Sequence, residues 1–404
     1  LSALVLQFGR WLPGGPLFRS AGFACLWVVH EWLCTLTDMA FPWSALSMAQ
    51  TGFTPLLQTA SLFGPWGITF AVVCVSCLLG QVLARKRIII SLSAAGTLLS
   101  AVLIAGLIIW NVPPSEEGTP VRAALLQGNA ATDEKWDTEA KTNVLETYLR
   151  LANEAGEQGA EWIVLPESAV AANFTEGGQL HELYAEIAKK YGATVFAGIL
   201  QTDENGVHNG FVAVLPDGRA SEVYEKQHLV PFGEHLPFGG LLNKLFPSLG
   251  NLGLGGTALV ANETEPVIHA GGTDVGCYLC YDAAFPCSAC GQAQIAVVAT
   301  NDSWFDKSGP MLNQSLRFAR VRAVETGKCV LRAANTGISA FIDAKGTVLE
   351  QTEAKTETVL YGTVSTNLTK TLYARIGNAF VAFCGGLLAL LIAGKALTRI
   401  RRRR

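Results

Sequence analysis

Residues 276–286 read GCYLCYDAAFP. The apolar run that begins at Asp274-Val275 reads as a strand that stops at Cys280, with the polar, turn-prone Tyr281-Asp282 pair immediately after it. Two further strands of the same kind hold a reactive residue just past their ends. WIVLP (162–166) is halted by Pro166 and followed by Glu167-Ser168, and EVYE (222–225) is followed by Lys226. Working outward, VRAALLQGN (121–129) reads as a buried strand. Residues 136–157 place Val144, Leu145, Tyr148, Leu149 and Ala152 at helical spacing. A helix over 180–190 and a strand over 194–199 follow. Phe211–Leu215 and Ala220–Tyr224 flank the turn PDGR as a hairpin, and a second hairpin brackets Ala344-Lys345-Gly346. Strands alternating with helices, then hairpins, predict a mixed α/β sheet packed against helices, an architecture whose sites gather beyond strand ends.

Glu167, Lys226 and Cys280 form a complete set for acyl transfer. A thiol attacks a carbonyl only as thiolate, so it needs a base. A carboxylate can take that proton, and an ammonium can hold the developing oxyanion and keep the pKa of the thiol down.

The ends of the chain are of a different character. Half of the 404 residues are hydrophobic and only 16% are charged, with a mean hydropathy of +0.31. Membrane spans account for that balance. Residues 21–36 form a short apolar run interrupted by His30 and Glu31. Residues 65–84 and 88–110 each supply about the 20 apolar residues a bilayer crossing requires. Arg85-Lys86-Arg87 joins these two spans, and counting lysine and arginine in short loops puts that turn in the cytoplasm. The span over 88–110 then delivers the following domain to the opposite face, and the apolar run at 379–393 returns the chain to the basic RIRRRR end. The expected organisation is membrane helices over 1–110, an extracytoplasmic catalytic domain over 119–367, a last membrane helix over 376–396 and a cytoplasmic basic tail over 397–404. The chain opens at Leu1 inside an apolar run, which suggests that earlier helices precede it. Glu31 lies within a span, which requires an interface, a bonded neighbour or a function. Residues 41–64 carry no Lys, Arg, Asp or Glu and read as an interfacial loop or a packed connector. The net charge of −3 argues against a nucleic-acid partner.

The strings LPESA (165–169), YEKQHLVPFGEHLP (224–237), LCYD (279–282) and NDSWF (301–305), in this order, resemble the nitrilase superfamily, specifically its membrane branch, the apolipoprotein N-acyltransferases. EWL (31–33), FPW (41–43), KWD (135–137) and YARIGN (373–378) extend the resemblance over nearly the whole chain. It implies a multi-span α-helical membrane domain plus a nitrilase-like α-β-β-α sandwich. It also implies a Glu-Lys-Cys triad: Glu167 as general base and acid, Lys226 stabilising the tetrahedral intermediate, and Cys280 as nucleophile. Family members move a fatty acyl chain from a phospholipid, through a cysteine thioester, to the α-amino group of the N-terminal diacylglyceryl-cysteine of an apolipoprotein. They do so in the bacterial inner membrane with the catalytic domain on the periplasmic side, and no metal or cofactor is implied. Glu234 matches a second carboxylate near the triad. Trp136, Tyr281 and Trp304 match aromatic positions that line or support the lipid pocket. Asp282 stands where relatives often carry glutamate.

The stretch from His228 to Val260 is rich in Leu, Phe, Gly and Pro and nearly uncharged. Beside a bilayer it suits arms or a lid that admit acyl chains to the thiol. A competing pattern is Cys277, Cys280, Cys287 and Cys290, two CxxC pairs that read as a zinc site or as disulfide partners. Three function classes follow: the acyltransferase, a membrane-tethered amidase or nitrilase using the same triad with water as acceptor, and a non-enzymatic zinc or disulfide module. The apolar 228–260 segment and the multiple spans favour the first over the second. The three reactive residues at strand ends disfavour the third.

Overall fold

The computed structural model describes residues 2–113, 118–130, 138–170, 172–245, 259–305 and 308–401. They separate into two compact units, one formed by residues 1–113 and 371–404 and the other by residues 114–370.

The first unit opens with α1 (Ser2–Gly9), α2 (Pro16–Leu33), the short helices α3 (Thr54–Gln58) and α4 (Ala60–Phe63), then α5 (Pro65–Leu83) and α6 (Ile88–Asn111). Among the described residues three helices are long and apolar enough to cross a membrane: residues 65–83, 88–111 and 379–396. The run expected at 21–36 is instead the helix Pro16–Leu33, and Arg19, His30 and Glu31 keep it out of that set. Its Glu31 is bonded on both oxygens. Oε1 accepts from Trp27 Nε1 (3.1 Å) and from the Leu46 amide (3.0 Å), and Oε2 accepts from the Thr69 hydroxyl on α5 (2.6 Å). The carboxylate thereby ties α2 to α5 and to the connector. That connector packs as short helical turns, and Gly106 on α6 lets the backbone at Pro55 approach where a side chain would collide.

The second unit holds β1 (Pro120–Gln127), α7 (Thr138–Glu157), β2 (Trp162–Val164), α8 (Gln179–Tyr191), β3 (Thr194–Thr202), β4 (Val207–Val214), β5 (Tyr224–Glu225) and α9 (Gly239–Leu245). After these come β6 (Val267–Ala270), β7 (Thr273–Leu279), β8 (Ile295–Thr300), α10 (Gly309–Thr326), β9 (Val330–Ala334), β10 (Ala340–Ile342), β11 (Val348–Gln351) and β12 (Thr358–Ser365). The chain then re-enters the first unit through α11 (Leu372–Ile376) and α12 (Ala379–Arg401).

Where residue patterning predicts one mixed sheet, there are two, each of six strands, in the orders β12-β1-β2-β3-β4-β5 and β11-β10-β9-β8-β7-β6. Each has a parallel centre, β1-β2-β3 and β7-β8-β9, with antiparallel edges. Strand β1 explains the layering. Val121, Ala123 and Leu125 enter a core shared with β7, β8 and β9, whereas Ala124 and Leu126 pack on α7 and α8. From Ala123 onward both faces are buried, so residues 123–126 form a continuous apolar run. Helix α10 covers the outer face of the second sheet, which completes an α-β-β-α sandwich.

The PDGR hairpin is shorter than expected. Beyond the turn, Ala220 forms only an isolated bridge with Val214, and regular pairing resumes at Tyr224–Glu225. The longer hairpin partner of β4 is β3, across a turn at 203–206. The hairpin around 344–346 pairs β10 with β11 as the sequence suggests.

Candidate active site

Glu167 follows β2, Cys280 follows β7, Asn301 follows β8 and Asn335 follows β9, so the carboxyl ends of the parallel strands of both sheets meet at one place. Hydrogen bonds cross between the sheets there. The Asn301 amide donates to Glu167 Oε2 at 3.0 Å and the Asn129 amide to the Asn335 carbonyl at 3.0 Å, while within the second sheet Asn335 Nδ2 donates to Asn301 Oδ1 at 3.1 Å.

Lys226 lies at the centre of this end of the sandwich with 0% exposure. Its Nζ donates to Glu167 Oε1 at 2.8 Å and to Glu234 Oε1 at 2.7 Å. Burial alone would pull this ammonium's pKa down, but Glu167 and Glu234 outweigh it and hold the pKa well above the ordinary lysine value. Glu167 is further fixed by Asn209 Nδ2, which donates to Oε1 at 2.7 Å. The second oxygen of Glu234 accepts from the Val230 amide at 2.8 Å. Burial pushes the Glu234 carboxyl up against the pull of Lys226.

Cys280 is the first residue of a 3-10 turn (Cys280–Ala284) and has φ +48°, a left-handed conformation rare for a residue with a side chain. Ser168, beside Glu167, has φ +44°. Two of the strand ends that carry reactive groups are therefore sharp turns, not gradual exits. Desolvation and the Glu167 charge push the Cys280 thiol's pKa strongly up, with Lys226 and the Thr300 hydroxyl opposing. Lys226 pulls the thiol's pKa in the expected direction, but burial outweighs it and the net push is upward.

Asp282, buried, reaches past the triad and braces its scaffold. Its Oδ2 accepts from the Tyr224 hydroxyl (2.8 Å) and the Leu279 amide (3.2 Å). Its Oδ1 accepts from the His228 amide (2.9 Å) and lies 3.0 Å from His228 Nδ1. Tyr281 is buried edge-on to Phe285, whose ring stacks on His228 at 3.7 Å. Trp304, in contrast, is 62% exposed, which rules out core packing as its role. Trp136 and the KWD string lie outside the described residues. So does 246–258 of the apolar stretch, whose described part exposes Phe232, Phe238, Leu241 and Leu245. Reading residues alone misses Asn209, which sits mid-strand on β4 and bears no motif mark, and Asn335. His228 and Asn301 fall inside quoted strings without being singled out.

The four cysteines of the competing pattern part company. Cys277 faces the inter-sheet core, Cys280 the triad, and Cys287 lies against Cys290. Among the described residues no group of three or more His, Cys, Asp or Glu is placed to hold a metal.

Residues 122–373 match the carbon-nitrogen hydrolase family model, and residues 1–78 match that of the apolipoprotein N-acyltransferase N-terminal domain. An apolipoprotein N-acyltransferase of Bradyrhizobium diazoefficiens is 32% identical over 424 residues, covering 100% of this chain and 77% of that one. The chain belongs to the apolipoprotein N-acyltransferase family. Another member, from Nitrosomonas europaea, is 31% identical over 97% of this chain and 78% of its own. The crystal structure of Saccharomyces cerevisiae Nit3, of branch 10 of the nitrilase superfamily, aligns with 63% of this chain and 93% of its own at 16% identity and a TM-score of 0.47. Family membership accounts for the pairing of apolar helices with a carbon-nitrogen hydrolase unit in one polypeptide.

Proposed function

We propose that this chain N-acylates apolipoproteins, taking a fatty acyl group from a phospholipid through a Cys280 thioester at the extracytoplasmic face of the bacterial inner membrane. In this reading residues 119–367 carry the chemistry, while 1–110 and 376–396 anchor it in the bilayer. The observation that carries it is the wholly buried Lys226 ammonium, clamped by Glu167 and Glu234 at the strand ends where Cys280 also emerges. Relatives of which this chain covers 77% and 78% carry the name apolipoprotein N-acyltransferase.

In the first half-reaction the Cys280 sulfur attacks the ester carbonyl carbon while Glu167 takes the thiol proton. The C–S bond forms, and Lys226 stabilises the oxyanion. Collapse breaks the ester C–O bond, and Glu167 passes the proton to the departing lysophospholipid oxygen. In the second half-reaction the α-amino group attacks the thioester carbonyl carbon and a C–N bond forms while Glu167 takes a proton from the amine; collapse breaks the C–S bond, and Glu167 returns that proton to the Cys280 sulfur. A thiol whose pKa burial holds up suits this cycle, because the proton is removed only as the carbonyl arrives. Phe232, Phe238, Leu241, Leu245 and Trp304 give acyl chains an apolar surface.

Intact-mass measurement of the purified protein incubated with phospholipid tests this. An acyl adduct is expected on Cys280, absent from Cys280→Ala and discharged by a diacylated lipopeptide. Discharge by water alone would make the chain a hydrolase, and absence of any adduct would overturn the thioester.

A further inference from the structure

Behind the nucleophile's strand lies a second pair of thiols that the acyl-transfer chemistry leaves unused. Cys287-Ser288-Ala289-Cys290 runs from the end of the Cys280 turn into the 3-10 turn Ala289–Gln292. The Cys290 thiol donates to Cys287 Sγ at 3.0 Å, and the Cys290 amide donates to the same sulfur at 3.3 Å. Cys290 is wholly buried against β7, where Gly276 leaves room for it: a Cβ there would lie 3.1 Å from Cys290 Cβ. Cys287 is half-buried.

An ion pair underlies the two thiols. The Cys287 amide donates to Glu325 Oε1 at 3.2 Å, and Glu325 Oε2 lies 3.1 Å from Arg322 Nη2, both side chains being 0% exposed. Apart from that contact with Glu325, the three guanidinium nitrogens of Arg322 have no hydrogen-bond acceptor among the described residues. A buried cation so placed favours an anion nearby, and a thiolate at Cys287 would be one.

We propose that Cys287 and Cys290 are a redox-active dithiol that closes to an intramolecular disulfide by exchange with a disulfide-bearing oxidant. The division of labour follows from the surroundings. The bond from Cys290 pulls the Cys287 thiol's pKa down, and burial pushes that of Cys290 well up. Burial also raises the Glu325 carboxyl to about 7, where it can exchange protons near neutrality. Cys287, the less buried of the two, attacks a sulfur of the oxidant as thiolate, forms a mixed disulfide and expels one thiolate, which takes up the proton Cys287 gave to Glu325. The Cys290 sulfur then attacks Cys287 Sγ, passes its own proton to the second leaving thiolate and closes the bridge. Two S–H bonds are exchanged for one S–S bond, and the oxidant's disulfide is reduced to two thiols. The closed bridge would clamp the chain directly after Tyr281 and Phe285. Neither cysteine takes part in acyl transfer, so this inference stands apart from the proposed function.

The full chain in detergent, equilibrated in buffers of reduced and oxidised glutathione, acid-quenched, alkylated under denaturing conditions and cleaved with chymotrypsin after Tyr281, which separates Cys280 from Cys287 and Cys290, tests it. The peptide carrying Cys287 and Cys290 should pass in one step from two alkyl groups to none, two hydrogens lighter, as the ratio of reduced glutathione squared to oxidised glutathione falls. In Cys287→Ser the Cys290 thiol should stay alkylatable throughout. Alkylation of both residues in the most oxidising buffer, a stable glutathione adduct on either, or bridging to Cys277 or Cys280 would overturn the proposal.

Discussion

Lys226 is one ammonium shared by two carboxylates at zero exposure. Removing one partner of a buried ion pair costs about 3–5 kcal/mol, because it leaves charge without compensation. Lys226→Met is therefore expected to lower the thermal midpoint in detergent clearly and to abolish acyl-enzyme formation. Glu167→Gln keeps the acceptor for Lys226 and Asn209 but replaces the other oxygen, which accepts from the Asn301 amide, by an NH2 that cannot take a proton. It should keep the fold and slow acyl-enzyme formation by roughly 10²- to 10⁴-fold, as read by the rate at which the Cys280 adduct appears. Equal rates in wild type and Glu167→Gln would remove it as the base. A second titrating residue sits away from the triad: Glu325, which burial raises from 4.5 to about 7. Between those values the unfolded chain releases its proton before the folded one does. The contribution of Glu325 to stability is therefore fully present below pH 4.5 and is lost as pH rises through 7, by about 1.4 kcal/mol per unit and roughly 3 kcal/mol in all. Midpoints measured across that window should show this fall, and Glu325→Gln should flatten it.

At the scale of elements, the triad depends on how closely β3 approaches the turn after β2. A Cβ at Gly198 would lie 2.6 Å from Glu167 Cα, 2.6 Å from the Pro166 carbonyl oxygen and 2.7 Å from the Ser168 amide, all backbone atoms. None can rotate away, so Gly198→Ala must displace the turn that carries Glu167. A misplacement of about 1 Å can cost on the order of 10²-fold in rate. The expected result is a loss of that order in acyl-enzyme formation with Cys280 still alkylatable, and an unchanged rate would show that the turn shifts without consequence. This contact also marks what could be read in the chain beforehand. Strand ends bearing Glu167, Lys226 and Cys280 were legible because a polar residue after an apolar run stands out. The split into two sheets was not: beyond their first residues β1 and β7 are buried on both faces, and a buried run does not say which layer either face meets. Asn209 was hidden for a related reason, since a polar residue within a buried strand carries no local mark of its partner 42 positions away. The arm after PDGR reads as strand by composition, yet pairs regularly only at Tyr224–Glu225.

For the whole molecule, the two basic segments constrain the topology jointly. The turn Arg85-Lys86-Arg87 precedes α6, and the chain reaches the Arg399–Arg404 end only after α12. If α6 and α12 each cross once, the two basic ends share a face and residues 114–370 lie on the other, whichever face that is. In the proposed reading the density of arginine and lysine puts the shared face in the cytoplasm. The apolar core of α6 reinforces the count, since its 24 residues contain no charged side chain that could hold it short of crossing. Glu204, exposed in the β3–β4 turn, should therefore, as Glu204→Cys, react with a membrane-impermeant maleimide in intact spheroplasts, above the background of the unsubstituted chain. Lys86→Cys should react only after the membrane is permeabilised. The reverse labelling pattern would place Cys280 on the cytoplasmic face, away from the compartment in which the proposed lipoprotein acceptor and a disulfide-bearing oxidant for Cys287 and Cys290 are expected.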